Sequence, residues 1–340
     1  MVHFRKYRLP FKSPFVTAAG SFSHREGILI EGELDGIRFM GDASALPGFS
    51  GDTLNEGWQF LNAYKNEIES LFSKNKPLSE FDSQCINMQA PPSVRFGLST
   101  AMGNLLSQKA GLTLSRYLNL SSKPKVPVNV TLGLKPIDLL MEDALCAWKD
   151  GFKTFKIKVG QDLEAELAIL KKLRKALPEC HLRIDANGAW KTDEAVDNLN
   201  KLASVDIEYC EQPVGANDVN GMSSIQSNSP IPIAADESVR NLADARLIIK
   251  QQAADVLILK PMLIGTITEF QKIAELAGSH HIGIVITTSL ESGIGRRATA
   301  HLAASLKNQS FAHGLATGRL LETDLLDDRE LIKNGCYYLS

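Results

Sequence analysis

From residue 126 to about 315 the hydrophobic pattern switches repeatedly between two periods. Short apolar runs, "VPVNVTLG" (126–133), "FKTFKIKV" (152–159), "HLRIDANG" (181–188), "VDIEYCEQP" (205–213), "IPIAADES" (231–238), "ADVLILKP" (254–261) and "HIGIVITTS" (281–289), read as strands. Between them lie helix-period segments such as "DLEAELAILKKLRKAL" (162–177) and "LADARLIIKQQ" (242–252). Strands alternating with helices imply a parallel sheet, and seven or eight such units imply a barrel. The rival, an open doubly wound sheet, lacks its G-x-G-x-x-G after the first strand.

The first 110 residues follow another pattern. "VHFRKYRLPF" (2–11) and "GILIEGELDGIRFMGDASA" (27–45) read as antiparallel strands, followed by helices over 53–74 and 94–110. The stretch 74–93, "KNKPLSEFDSQCINMQAPPS", reads as the loop between those helices. The expected fold is therefore α/β: a modified TIM barrel, (β/α)7β-like, over 116–315, with an N-terminal α+β capping domain over 1–115. The tail, 316–340, is expected to return to the capping domain. Segment 17–25, "TAAGSFSHR", is expected to form a lid over the barrel mouth.

Within "FKTFKIKVG" (152–160) the period of two puts Phe155, Ile157 and Val159 on one face and Thr154, Lys156 and Lys158 on the other. With the apolar face against helices, two ammonium groups point into the space the sheet encloses, which is costly without negative charge nearby. The other strand ends supply it. The successive intervals from Lys158 to Asp185, Glu211, Asp236 and Lys260 are 27, 26, 25 and 24 residues, one strand–helix unit each. The five groups are thus expected at one height, the C-terminal mouth where such barrels carry active sites.

Three carboxylates without thiolates or paired histidines suit a hard, oxygen-loving cation, Mg2+ ahead of Mn2+; no Cys or His spacing supports zinc. A cation and the Lys156 ammonium would both disfavour protonated Lys158, and a neutral lysine is a general base. Two weaker signals accompany this site. The glycines of "SLESGIGRRA" (289–298) open a helix after the seventh strand, so Ser289, Glu291, Ser292 and Gly293 are candidates for holding a substrate carboxylate, with a tight turn as the alternative. His280 and His281 precede a strand at the opposite end of the barrel, and Trp190 reads as packing.

Composition narrows the class of partner. The 340 residues carry 44% hydrophobic and 22% charged side chains and a formal charge of −2, ordinary for a soluble globular protein. That balance gives no electrostatic case for nucleic acid or an anionic membrane; the charged strand ends leave room for a small-molecule anionic substrate, a carboxylate by the resemblance given next. Five scattered cysteines without CxxC read as reduced thiols. "MVHFRKYRLPFKSPF" lacks a secretory apolar core and no run of about 18 apolar residues occurs, so the expected compartment is the cytoplasm. Oligomeric state leaves no trace in the pattern.

At these residues the chain resembles the enolase superfamily, in its muconate-lactonizing-type subgroup, which pairs a KxK strand with Asp, Glu and Asp on the next three strands and Lys on the sixth. Within it, "GDASALPGFSGDT" (41–53), "PPSVRFGLSTA" (91–101), "RIDANGAW" (183–190), "DES" (236–238), "LKPMLIGT" (259–266) and "TTSLESGIG" (287–295) are similar to the o-succinylbenzoate synthases. The resemblance implies Asp185, Glu211 and Asp236 as Mg2+ ligands, Lys158 as the acid/base and Lys260 on the opposite face of the substrate. Lys156 and Asn187 become supporting residues. It implies dehydration of 2-succinyl-6-hydroxy-2,4-cyclohexadiene-1-carboxylate, a step of menaquinone biosynthesis, through a proton taken α to the carboxylate and a stabilised enediolate. An N-succinylamino acid racemase or a dipeptide epimerase would use the same residues, although no Asp-x-Asp follows the seventh strand. A Schiff-base aldolase barrel and a non-catalytic binding protein are the alternatives from other classes.

Overall fold

The computed structural model describes residues 1–17, 20–74, 76–133, 135–308 and 310–339. Seven parallel strands form one sheet in chain order: Val130–Leu132, Thr154–Lys158, His181–Asp185, Ile207–Glu211, Ile233–Ala235, Val256–Leu259 and Gly283–Ile286. Parallel bridges Val128↔His313 and Thr287↔Gly314 close the sheet through a minimal eighth strand around His313. Each of the seven strands is followed by a helix, from Ile137–Lys149 to Gly293–Ser305, and the eighth only by a 3-10 turn, Ala316–Leu320. This is the expected (β/α)7β-like barrel.

The helices begin where side chains replace missing backbone partners. Asp162 accepts from the Ala165 N–H at 3.1 Å, and Asn241 from Ala243 and Asp244 at 2.8 and 3.0 Å. Their inward faces, Leu170 and Leu173 or Ala245 and Ile248, are fully buried against the sheet. Inside the barrel, Tyr209, Ala234, Val256, Ile258 and Val285 pack with Phe311 below the polar mouth.

The N-terminal sheet has three antiparallel strands, Val2–Thr17, Gly20–Leu34 and Ile37–Ala43. Residues 20–25 of the expected lid are paired strand; residues 18 and 19 lie outside the described residues. Phe15 and Phe22 pack with Leu290 and Leu321, so this ribbon sits beside the ends of the seventh and eighth strands. The expected loop 74–93 is corrected: it contains the helix Leu78–Asn87. Pro77 at its start hid a helical period in which Leu78, Phe81 and Cys85 turn inward. The first expected helix breaks at Tyr64 into Leu54–Ala63 and Lys65–Ser73.

The tail divides its contacts. The Glu322 N–H donates to Pro10 O at 2.9 Å, while Cys336–Tyr338 pairs with Lys125–Pro127 ahead of the barrel. Among the described residues no helix is long and apolar enough to cross a membrane.

Two buried histidines make the fold acid-sensitive. Burial and Arg183 pull His313 down to about 3, and burial and Arg297 pull His301 down to about 4. Both stay neutral when folded, whereas an unfolded histidine takes a proton near pH 6.5. The unfolded chain thus binds more protons below that pH, and stability falls as pH drops from about 6.5 toward 4. The expected loss at pH 5 is about 2 kcal/mol per histidine. Urea midpoints at pH 7 and 5 check it, and replacing His301 with an apolar side chain should remove its share of the pH dependence.

Candidate functional site

The register puts the second, third and fourth strands level, with Lys158 opposite Asp185 and Asp185 opposite Glu211. Beyond them the expected common height fails. Glu211 pairs with Ala234, so Asp236 stands two residues further on, and Lys260 follows just after the sixth strand. The sequence intervals are near-equal, but strands closing into a barrel are staggered against one another.

The side chains nevertheless meet. Asp185, Glu211 and Asp236 are 2%, 2% and 6% exposed. The Lys156 ammonium lies between the first two, 2.8 Å from Asp185 Oδ2 and 2.5 Å from Glu211 Oε1. Lys260 donates to Asp236 Oδ1. Burial draws both ammonium groups toward neutrality, yet the facing carboxylates outweigh it and hold both above the usual lysine range. Burial likewise opposes ionisation of Asp236, and Lys260 and Lys156 overcome it. Glu211 is pushed up to about 8 by burial, against Lys156, with Asp185 and Asp236 adding repulsion. Three ionised carboxylates against two ammonium groups would leave one surplus negative charge, and Glu211, the carboxyl pushed up, relieves it by holding a proton.

Lys158 differs from its neighbours. It forms no ion pair among the described residues and donates to Asn187 Oδ1, while the Asn187 Nδ2 donates to Glu237 Oε1 at 3.1 Å. Glu237 was not foreseen; it stood in the quoted "DES" but had no role assigned. Gln212 was missed too. Its Oε1 accepts from the Asp236 N–H at 3.1 Å and its Nε2 donates to Ser238 Oγ at 2.8 Å, tying the fourth strand end to the fifth. Asn187 and Gln212 both have left-handed backbones, φ 44° and 41°, directly beyond the acidic strand ends. Such strain in non-glycine residues persists where a surrounding site imposes it, and no sequence period reports it.

Ser289, Glu291, Ser292 and Gly293 gather at a domain seam. The Ser289 N–H donates to Glu291 Oε2, the Ser292 N–H to Asp42 Oδ2 at 2.9 Å, and the Gly293 N–H to Asp324 Oδ1 at 2.8 Å. The amides expected to receive a substrate carboxylate are therefore already given to the protein's own carboxylates. Asp42 also accepts from Tyr7 and the Ser292 hydroxyl, so this turn joins capping sheet, barrel and tail. Glycine is required at 293, where a Cβ would lie 1.7 Å from Leu326 O.

The donor set fits a hard divalent cation in kind: all oxygen, almost fully buried, on adjacent strands, with negative charge in excess. As placed, no three His, Cys, Asp or Glu side chains among the described residues form a ready metal-binding group. The lysine ammonium groups stand between the carboxylates instead, and binding requires them to give way.

Residues 140–340 match the enolase C-terminal domain-like family, and residues 1–105 match the MenC N-terminal domain. The chain belongs to the enolase superfamily. Among its members, an L-amino acid-D/L-Glu epimerase of Sulfurimonas denitrificans is 31% identical, over 96% of this chain and 95% of its own. An o-succinylbenzoate synthase of Thermobifida fusca is 36% identical over 62% of this chain and 65% of its own. The solved dipeptide epimerase from Enterococcus faecalis, complexed with Mg and the dipeptide L-Leu-L-Tyr, superimposes with a TM-score of 0.89. It is 29% identical, covering 100% of this chain and 96% of that one. The superfamily fold expected from the charged strand ends is thus the observed one, and the chain is an enzyme of that superfamily.

Proposed function

We propose that the protein is a Mg2+-dependent carbon–oxygen lyase that dehydrates 2-succinyl-6-hydroxy-2,4-cyclohexadiene-1-carboxylate to o-succinylbenzoate. The observation carrying this reading is that, among the described residues, the carboxylates Glu291 and Asp324 near the ends of the seventh and eighth strands are already engaged within the protein. A dipeptide presents a free α-ammonium, which needs a carboxylate when desolvated. Glu291 is fully buried and accepts from Ser289 and Thr299, and Asp324 is paired with Arg296. The next carboxylate, Glu322, is exposed, on the strip whose N–H pairs with Pro10 of the capping sheet. A substrate with no amine suits these surroundings, and the MenC-type N-terminal domain agrees with it.

Asp185, Glu211 and Asp236 would hold the cation, which lends positive charge to the substrate carboxylate as a proton leaves the adjacent carbon. Lys158 takes that proton. Of the three mouth lysines it is the one without a carboxylate partner, as a base requires. Lys158 then returns the proton to the departing hydroxyl, so water leaves and the ring becomes aromatic. Lys260 follows the sixth of eight strands, across the barrel from the second strand that carries Lys158, and would supply fixed positive charge to the developing enediolate. Lys156, clamped by two carboxylates, acts as a fixed charge.

The second reading, an epimerase or N-succinylamino acid racemase, is favoured by the full-length likeness to the Sulfurimonas epimerase. Both lysines would then exchange a proton on opposite faces of one carbon. Incubation in deuterated water with the cyclohexadiene, an N-succinylamino acid and a dipeptide separates them. Dehydration that stops on chelation and returns with Mg2+, without α-deuterium in the other two, is expected. Exchange at an amino acid α-carbon without dehydration would overturn the lyase assignment.

A further inference from the structure

We propose that Glu237 is a positioning residue: it fixes the Asn187 carboxamide so that its oxygen, not its nitrogen, meets Lys158. This rests on Lys158 being the proton-transfer group. A carboxylate only accepts hydrogen bonds and an ammonium only donates them, so a carboxamide between the two fits in one orientation. The contacts follow that rule, with Asn187 Nδ2 on Glu237 Oε1 at 3.1 Å and Lys158 on Asn187 Oδ1. The Asn187 backbone is held as well, by its left-handed φ of 44° and its N–H on Asp185 Oδ1 at 3.0 Å. With the main chain fixed, the freedom left at Asn187 is in its two side-chain torsions, and the bond to Glu237 restrains both.

The other oxygen of Glu237 is buried and makes no hydrogen bond. Leaving that oxygen unpaired costs stability. Its cost is offset by Lys260, whose ammonium Glu237 helps to keep charged. Glu237 thus bears on both lysines, on Lys260 through its charge and on Lys158 through Asn187. Tying one N–H of Lys158 to a fixed acceptor sets how the amino group is rotated toward the substrate carbon, and reactive orientation is what proton transfer depends on. In Glu237→Gln the new amide can offer nitrogen as readily as oxygen. Asn187 is then free to flip and set a donor against a donor.

The test reads Lys158 itself in the full-length, metal-free protein. Its labelling by trinitrobenzenesulfonate at one fixed pH is followed by peptide mass spectrometry in the native protein, Asn187→Ala, Glu237→Gln and the double variant. Losing the acceptor should raise labelling by about threefold or more in each single variant, and the double should exceed Asn187→Ala by no more than experimental scatter. Unchanged labelling in either single variant, or effects that multiply in the double, would overturn the proposal. In turnover of the cyclohexadiene, Glu237→Gln should lower kcat about tenfold with KM within about twofold. A loss of Mg2+ affinity by calorimetry with kcat preserved would overturn it by placing Glu237 in metal holding. Because labelling needs no substrate, an inactive cyclohexadiene assay would sink the lyase reading while the labelling cycle still decides this one.

Discussion

Replacing Lys158 with Ala should lower turnover by about 10²–10⁴-fold, the range that one proton-transfer group supplies. The fold should survive. Lys158 is exposed and carries no ion pair among the described residues, so its loss should move stability by no more than about 0.5 kcal/mol. That combination distinguishes it from its neighbours. Lys156→Ala strands Asp185 and Glu211 without their shared counter-charge, and Lys260→Ala strands Asp236, so both should lose stability as well as activity. Parallel kcat measurements and urea melts provide the check. Near-normal dehydration by a folded Lys158→Ala variant would remove the assigned base, and with it the mechanism.

The second large effect lies at the seam. Arg296 is 1% exposed and gathers the tail: its Nη2 donates to Asp324 at 2.6 Å and to Asp328, and its Nη1 donates to Glu291 O at 2.8 Å. Tyr337 adds its hydroxyl to Asp328 at 2.9 Å. Arg296→Met would leave two buried carboxylates unpaired, at an expected cost of about 3–5 kcal/mol. Urea unfolding measures it, and adding Asp328→Asn should recover part of the loss by removing one stranded charge. A loss below about 1 kcal/mol would mean the pair contributes little. Because Gly293 also donates to Asp324, the same variant should loosen the turn over 289–293 and with it the capping sheet's hold on the barrel.

Much of the barrel was legible because its two periods differ. A strand of four or five apolar residues followed by an amphipathic helix leaves little room for another reading, and all seven proposed strands are present. The helix Leu78–Asn87 escaped because flanking prolines and polar residues resemble a loop until its three inward side chains are seen together. The charged strand ends were legible for a similar reason: one strand–helix unit is a nearly constant number of residues. Their exact heights were not, since stagger belongs to barrel closure rather than to any one segment.

The sequence by itself determined which residue types stand at each strand end, and so the superfamily and an oxygen-rich donor set. Tertiary structure decided what each of them touches. It placed Lys156 and Lys260 in ion pairs while leaving Lys158 to Asn187, and it brought Glu237 and Gln212 into the site. It also gave Ser292 and Gly293 to Asp42 and Asp324, partners 250 and 31 residues away. The physical reason is range. Periodicity reports the face of a segment on which a side chain lies, but hydrogen-bond partners across strands and domains are fixed only when stagger, burial and charge are satisfied together.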